Sequence, residues 1–207
     1  MKPLVIALGG NALIQEKEVG NYEQQLKNVQ RAVEDIIPLI RKGQPVVIVH
    51  GNGPQVGSLE VQMHAVKDIP PMPLNVEVAM TQGEIGHLII HALTQKKGVR
   101  AATLITHVEV NARDAGFRHP SKPIGKWMNE KEMKKEKKKG HAFMHDPKKG
   151  FRRIVASPQP QKIVEIETIR ALLREKIVVV ACGGGGIPVV KEKKGWKGVE
   201  AVIDKDL

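Results

Sequence analysis

Three glycine-rich turns carry most of the chemical potential of this chain. Gly9-Gly10-Asn11 follows the apolar run Leu4–Leu8. Gly51-Asn52-Gly53 follows Pro45–Val49 and His50. Gly183–Gly186 follows Ile177–Ala181 and Cys182. A short apolar run that ends in glycines reads as a buried parallel strand whose backbone turns sharply at its C-terminal end. In open α/β sheets that end is where ligands bind. Glycines there let main-chain N–H groups approach an anion with no Cβ in the way. Three such turns on one sheet, two of them leading into helices, predict a convergent anion site.

The chemistry such a site suits is phosphoryl transfer, which needs positioning and positive charge rather than covalent help. No Gly-Lys-Ser/Thr follows any glycine turn, so there is no Walker A loop. The dinucleotide fingerprint is also absent: after Gly51-Asn52-Gly53 the third glycine position holds Val56, and Gly57 comes one residue late. Two lysines are candidates for the charge. Lys122 sits in Pro120-Ser121-Lys122-Pro123, where prolines stiffen the backbone, and Lys205 sits between Asp204 and Asp206. His87 and His91 are four apart on an apolar helix without a His-Glu-x-x-His pattern, so no metal site is expected of them. His141 and His145 fall among lysines and are expected to be solvated. Cys182 ends a buried strand with no identifiable base beside it, which predicts a small core residue rather than a nucleophile.

These residues need a scaffold, and the apolar pattern supplies one. Leu26, Val29, Val33, Ile36, Ile37 and Ile40 form one stripe of a helix over 22–41, ended by Gly43. Further helices are expected over 57–66, 76–93 and 163–174, and strands over 100–106 and 177–181. A hairpin is expected from 189–191 and 198–203. Alternating strands and helices mean βαβ units and a mainly parallel sheet with helices on both faces. Residues 107–160 break the rhythm and are expected to form an inserted subdomain with a minor core of its own. They leave 1–106 and 161–207 as the main α/β domain. Within the insert, Asn129 and Glu132 predict a capping box for a helix that ends at Gly140.

Composition sets further bounds. The apolar fraction of 41% is ordinary for a globular protein. The net charge is +11, and +9 of it lies between Arg118 and Arg153, so the basicity belongs to the insert rather than to the fold. One cysteine excludes an intramolecular disulfide and suggests a reducing, cytoplasmic setting. No apolar run approaches the roughly 18 residues of a membrane span.

Taken together the motifs resemble carbamate kinase, within the amino-acid kinase family. The resemblance rests on Val5–Leu13, Val49–Gly57, Met80-Thr81-Gln82-Gly83, Pro120–Gly125, Arg152-Arg153, Ser157-Pro158, Gly183–Gly186 and Gly198–Asp206 in that order. It implies a three-layer αβα sandwich and reversible phosphoryl transfer between ATP and carbamate, giving carbamoyl phosphate and ADP, with Mg²⁺. It implies a homodimer and a place in arginine metabolism. It suggests that Gly9, Gly10, Asn11, Gly51, Asn52 and Gly53 bind the substrate, joined by Gly183 and Gly184. Lys122 would come from a mobile lid within 107–160, and Lys205 with Asp206 would complete the reacting centre. Members of the family continue well past the Asp-Lys-Asp motif with most of the nucleotide site. The chain is therefore expected to match the N-terminal two-thirds of such an enzyme and to be impaired alone. Alternatives are another amino-acid kinase, a non-catalytic binding or assembly subunit, and, from the basic aromatic insert, a nucleic-acid-binding module.

Overall fold

A computed structural model describes residues 1–15, 17–66 and 68–207. In chain order the elements are β1 (Leu4–Leu8), α1 (Gly10–Leu13), α2 (Tyr22–Arg41), β2 (Val46–His50), α3 (Gly53–Met63), α4 (Leu74–Thr94), β3 (Ala101–Thr103), β4 (His107–Val110), β5 (Lys122–Met128), α5 (Glu130–Lys137), β6 (Ala142–Asp146), β7 (Gly150–Val155), β8 (Pro160–Ile163), α6 (Ile166–Arg174), β9 (Val178–Val180), β10 (Ile187–Glu192) and β11 (Gly195–Gly198).

The central sheet is all parallel, in the order β1-β2-β9-β3. The stripe read on α2 buries Val29, Val33, Ile36 and Ile37 against one face, together with Ile85, Leu88, Ile89 and Leu93 of α4. The other face packs Val47, Val179 and Ala181 against Ile169 of α6, which completes three layers. A second sheet, β11-β10-β4-β8, adjoins the first. The join is made where Leu104 N–H reaches the Val180 carbonyl and Ile187 N–H reaches the Thr106 carbonyl. No helix among the described residues is long and apolar enough to cross a membrane.

Several boundaries differ from the sequence reading, each for a local reason. Helix α3 starts at Gly53 rather than Gly57, because Pro54 is a good first-turn residue whose missing N–H costs nothing there. Pro160–Ile163, expected to be loop and helix start, pairs with β4 instead, so α6 begins at Ile166. The hairpin returns early, with Val189 opposite Gly198. Residues 199–203 then run past Ala156 through a single bridge. The capping box at Asn129 forms in full, though α5 ends at Lys137.

The insert is an antiparallel sheet, β5-β7-β6, with α5 beside it. It spans 122–155, while β4 and β8 at the ends of the expected 107–160 segment pair with each other, and β4 also pairs with β10. The aromatics of the expected segment, Phe117, Trp127, Phe143 and Phe151, are all only half-buried, so the expected separate core does not form. Its buried residues Ile124 and Val155 join Val56, Leu74, Val78, Ile187, Val189 and Val202 of the body. A unit this small buries too little of its surface to sustain a core alone, so the sheet docks on the body.

Candidate active site

The parallel pairing of β1 with β2 places Leu8 opposite His50, so both glycine turns leave the same sheet edge side by side. Gly51 N–H donates to the Leu8 carbonyl at 2.9 Å and ties them together. The third turn arrives from β9, next to β2. Between them lies a cavity of about 250 Å³ lined by Gly10, Gly51, Asn52, Gly53, Gly184, Lys122 and the Asp204-Lys205-Asp206 segment, among others.

The body side of this cavity is backbone. Helix α3 begins at the cavity with no side chain capping its N-terminus, which leaves its first-turn N–H groups and the positive end of its dipole facing the space. Asn52, buried at 8% exposure, is held from behind: its Nδ2 donates to Thr81 Oγ1 at 2.9 Å, and that hydroxyl donates to the Val78 carbonyl at 2.8 Å. Gly184, at φ +64°, presses on the Asn52 amide, and a Cβ there would overlap it. Gln82 stitches the layers beneath. Its Oε1 accepts from Thr106 N–H at 2.8 Å, and its Nε2 donates to the carbonyls of Thr106 (3.2 Å) and Gly183 (3.0 Å). His50, buried below the turns, is held towards its neutral form by desolvation, against the pull of the Gly51 carbonyl.

The opposite side supplies charge. Lys122 Nζ at the start of β5 pairs with Asp204 Oδ2 at 2.9 Å. The Lys122 ammonium, with the Asp206 N–H, holds the Asp204 carboxyl below the usual carboxylate range. Lys205 pairs with Asp206, and its aliphatic stem lies along Gly51, where a Cβ would be 3.6 Å from its Cδ. Asp206 is 72% exposed and stands at the mouth.

Of the residues singled out in the sequence, Gly10, Gly51, Asn52, Gly53, Gly184, Lys122, Lys205 and Asp206 meet at this cavity. Gly9 instead precedes α1, its carbonyl taken by Ala12 N–H. Gly183 is buried below, against the His50 ring and Gln82. Asn11 lies in α1 by its backbone, and its side chain is outside what is described. Asp204 was not picked out, although it belongs to the same tripeptide as Lys205. Thr81 and Gln82 fall within the Met80–Gly83 stretch of the resemblance, but their supporting contacts, and those of Thr106, could not be read there, because their partners are distant in the chain. Cys182 is half-buried rather than core, with φ +53°, and burial pushes its thiol up to about 11. His145 is exposed as expected, but His141 is half-buried, and burial lowers its pKa.

The comparisons with known proteins agree with this geometry. The amino acid kinase family model matches residues 2–206. A carbamate kinase of Pyrococcus horikoshii is 46% identical, with 99% of this chain and 68% of that protein covered. A carbamate kinase structure from Giardia lamblia superposes with a TM-score of 0.92 at 40% identity, covering 100% of this chain and 70% of the other. A second Giardia lamblia carbamate kinase structure, bound to AMP-PNP, superposes at 0.89, covering 99% and 67%. The match in sequence and fold runs through every glycine turn and through the Asp-Lys-Asp segment, and the chain belongs to the amino acid kinase family, among the carbamate kinases.

Proposed function

We propose that this chain transfers a phosphoryl group reversibly between ATP and carbamate, making carbamoyl phosphate and ADP. The observation that carries this reading is the convergence of two lysines on a cavity floored by glycine turns. In the direction of ATP synthesis, a β-phosphate oxygen of ADP attacks phosphorus. The bond from phosphorus to the carbamate oxygen breaks, and carbamate leaves with the electron pair. No proton need move. The backbone N–H groups at Gly10 and Gly53 hold the carbamoyl and phosphoryl oxygens, beside the Gly51 turn that is tied to β1. The Lys122 and Lys205 ammonium groups stand where charge builds on the transferring group. Asp204 and Asp206 hold those ammonium groups in place until substrate displaces them. Mg²⁺ suits the reading. Asp204 and Asp206 are hard oxygen donors, and such an ion is held by one or two carboxylates plus substrate phosphates, whose charge it neutralises.

A homodimer in the cytoplasm, serving arginine metabolism, fits the same reading. Exposed Val66, Ile69 and Met72 on the connector before α4 offer apolar surface for a second copy, and the free Cys182 suits a reducing compartment.

The test is ATP formation from carbamoyl phosphate and ADP by the 207-residue chain, with carbamoyl phosphate binding measured alongside by calorimetry. Binding without turnover would locate the substrate cradle here and leave nucleotide contacts to be supplied by a further segment. Full turnover would put a complete nucleotide site within these residues. The absence of both binding and turnover would refute the proposal.

A further inference from the structure

The lid sheet meets the body along α3. Gly57 and Gly125 touch backbone to backbone, and a Cβ on Gly57 would stand 3.4 Å from the Gly125 main chain. Beside that contact, Arg153 of β7 forms an ion pair with Glu60 of α3, their side chains only 13% and 14% exposed. Arg153 is in register with Ile124, two residues along β5 from Lys122. Among the described residues, two ion pairs join this sheet to the body: Lys122–Asp204 and Arg153–Glu60. A bound phosphoryl group takes Lys122 from Asp204. The Arg153–Glu60 pair is then left to hold the sheet in place.

Next to this pair lies an unexplained group. Glu77 of α4 is 0% exposed, and neither of its carboxylate oxygens has a hydrogen-bond donor. An ionised carboxylate in that position would be costly. Burial, followed by the charge of Glu60, pushes its pKa up to about 8. The charged groups around it are Glu60 on α3, Arg153 on β7 and Glu200 after β11. Further out, His141 before β6 faces Arg153, Glu60, Glu136 of α5 and Lys139, and His64 of α3 lies 3.8 Å from Glu60.

We infer that Glu60, Arg153 and Glu77 form a catch that seats the lid sheet on the body and so positions Lys122 over the glycine turns. The inference rests on the role proposed above for Lys122. Protonated Glu77 donates to Glu60 and leaves the Glu60 charge to Arg153. Once Glu77 ionises, two carboxylates face one guanidinium, with Glu77 itself fully buried and the Glu60–Arg153 pair only slightly exposed. Their repulsion parts α3 from α4, and the seat of the lid loosens. These three are positioning residues and do not touch substrate.

The test is amide hydrogen exchange of the whole chain without ligand, from about pH 6 to 9.5, corrected for the intrinsic pH dependence. Peptides covering 122–128 and 150–155 report the lid, and 22–41 reports the body. Arg153→Met and Glu60→Gln should speed lid exchange roughly tenfold and leave the 22–41 peptide unchanged. Arg153→Lys should recover most of the protection. In the parent chain, lid exchange should quicken above about pH 8, whereas Glu77→Gln should show a flat profile. Parent-like lid exchange in both Arg153→Met and Glu60→Gln overturns the catch. So does a pH profile shared by the parent and Glu77→Gln, or an equal rise in the body peptide. Should Arg153→Met fail to fold, Arg153→Lys and Glu77→Gln carry the test. No substrate is present, so a failed catch leaves the kinetic role of Lys122 intact, and an idle Lys122 leaves the exchange result intact.

Discussion

The body and the lid contribute opposite kinds of group to the same cavity. The body offers main-chain N–H groups at the ends of β1, β2 and β9, fixed by sheet pairing and by buried side chains behind them. The lid offers the end of one long side chain, Lys122, on a three-stranded sheet whose buried residues are borrowed from the body's core. Backbone donors of this kind cost little to organise at the moment of reaction, since folding has already placed them. A lysine end must be immobilised each time, and its energy is delivered only in the right geometry. On the proposed function a division of labour follows: the body would set where the phosphoryl group sits, and the lid and the Asp-Lys-Asp segment would set how well its charge is met.

That division can be broken at graded cost. Lys205→Ala removes the cation whose stem is packed along Gly51. Turnover of carbamoyl phosphate with ADP should fall by about 10³-fold, or ~4 kcal/mol of barrier, with carbamoyl phosphate still bound by the turns. Gln82→Leu attacks the body side from beneath. It removes three hydrogen bonds in a buried place and leaves the Thr106 N–H unpaired, while the Thr106 and Gly183 carbonyls keep their bonds from Ile187 and Gly186 N–H. Denaturant unfolding should show a loss of about 3 kcal/mol. Lys122→Ala should lower turnover about 10²-fold with no loss in melting temperature, because its partner Asp204 is solvent-accessible. A large drop in melting temperature would mean that the lid is held by Lys122 rather than by Arg153.

Smaller effects sharpen the contrast. Glu77 has its proton affinity raised in the folded chain. Its contribution is therefore fully present below the unfolded value near 4.5 and is lost as pH rises towards about 8. Stability measured across that window should fall with pH, at no more than ~1.4 kcal/mol per unit from this group, and Glu77→Gln should remove that part of the slope. Asn129→Ala opens the capping box of α5. It should cost about 1 kcal/mol locally, visible as faster amide exchange in 130–137 and absent from turnover. A matching loss of turnover would mean that the lid's own helix helps to place Lys122.

Much of this was legible in the residues. Helix α2 was readable from its apolar stripe, and the three turns from glycines after apolar runs, because both signals depend on neighbours in the chain. The capping box at Asn129 was readable for the same reason. The hairpin partner of β10 was misplaced because several apolar residues after Gly198 imitate a strand, while they in fact cross to Ala156. The separate lid core was expected from a local count of aromatics, yet Ile124 and Val155 pack on residues of α3, α4 and β10.

By itself the sequence determined the βαβ order, the glycines at three strand ends, the concentration of charge in one insert and the two lysines between prolines and aspartates. Each follows from short-range spacing. The tertiary structure decided that Gly10, Gly51, Gly184, Lys122 and Lys205 share one cavity. It also decided that Gln82 and Thr106 brace the turns and that Glu77 lies buried beside the Glu60–Arg153 pair. Those facts depend on which strands lie side by side and on which face of a helix meets another element. Side chains distant along the chain become neighbours only when burying apolar surface forces the layers together.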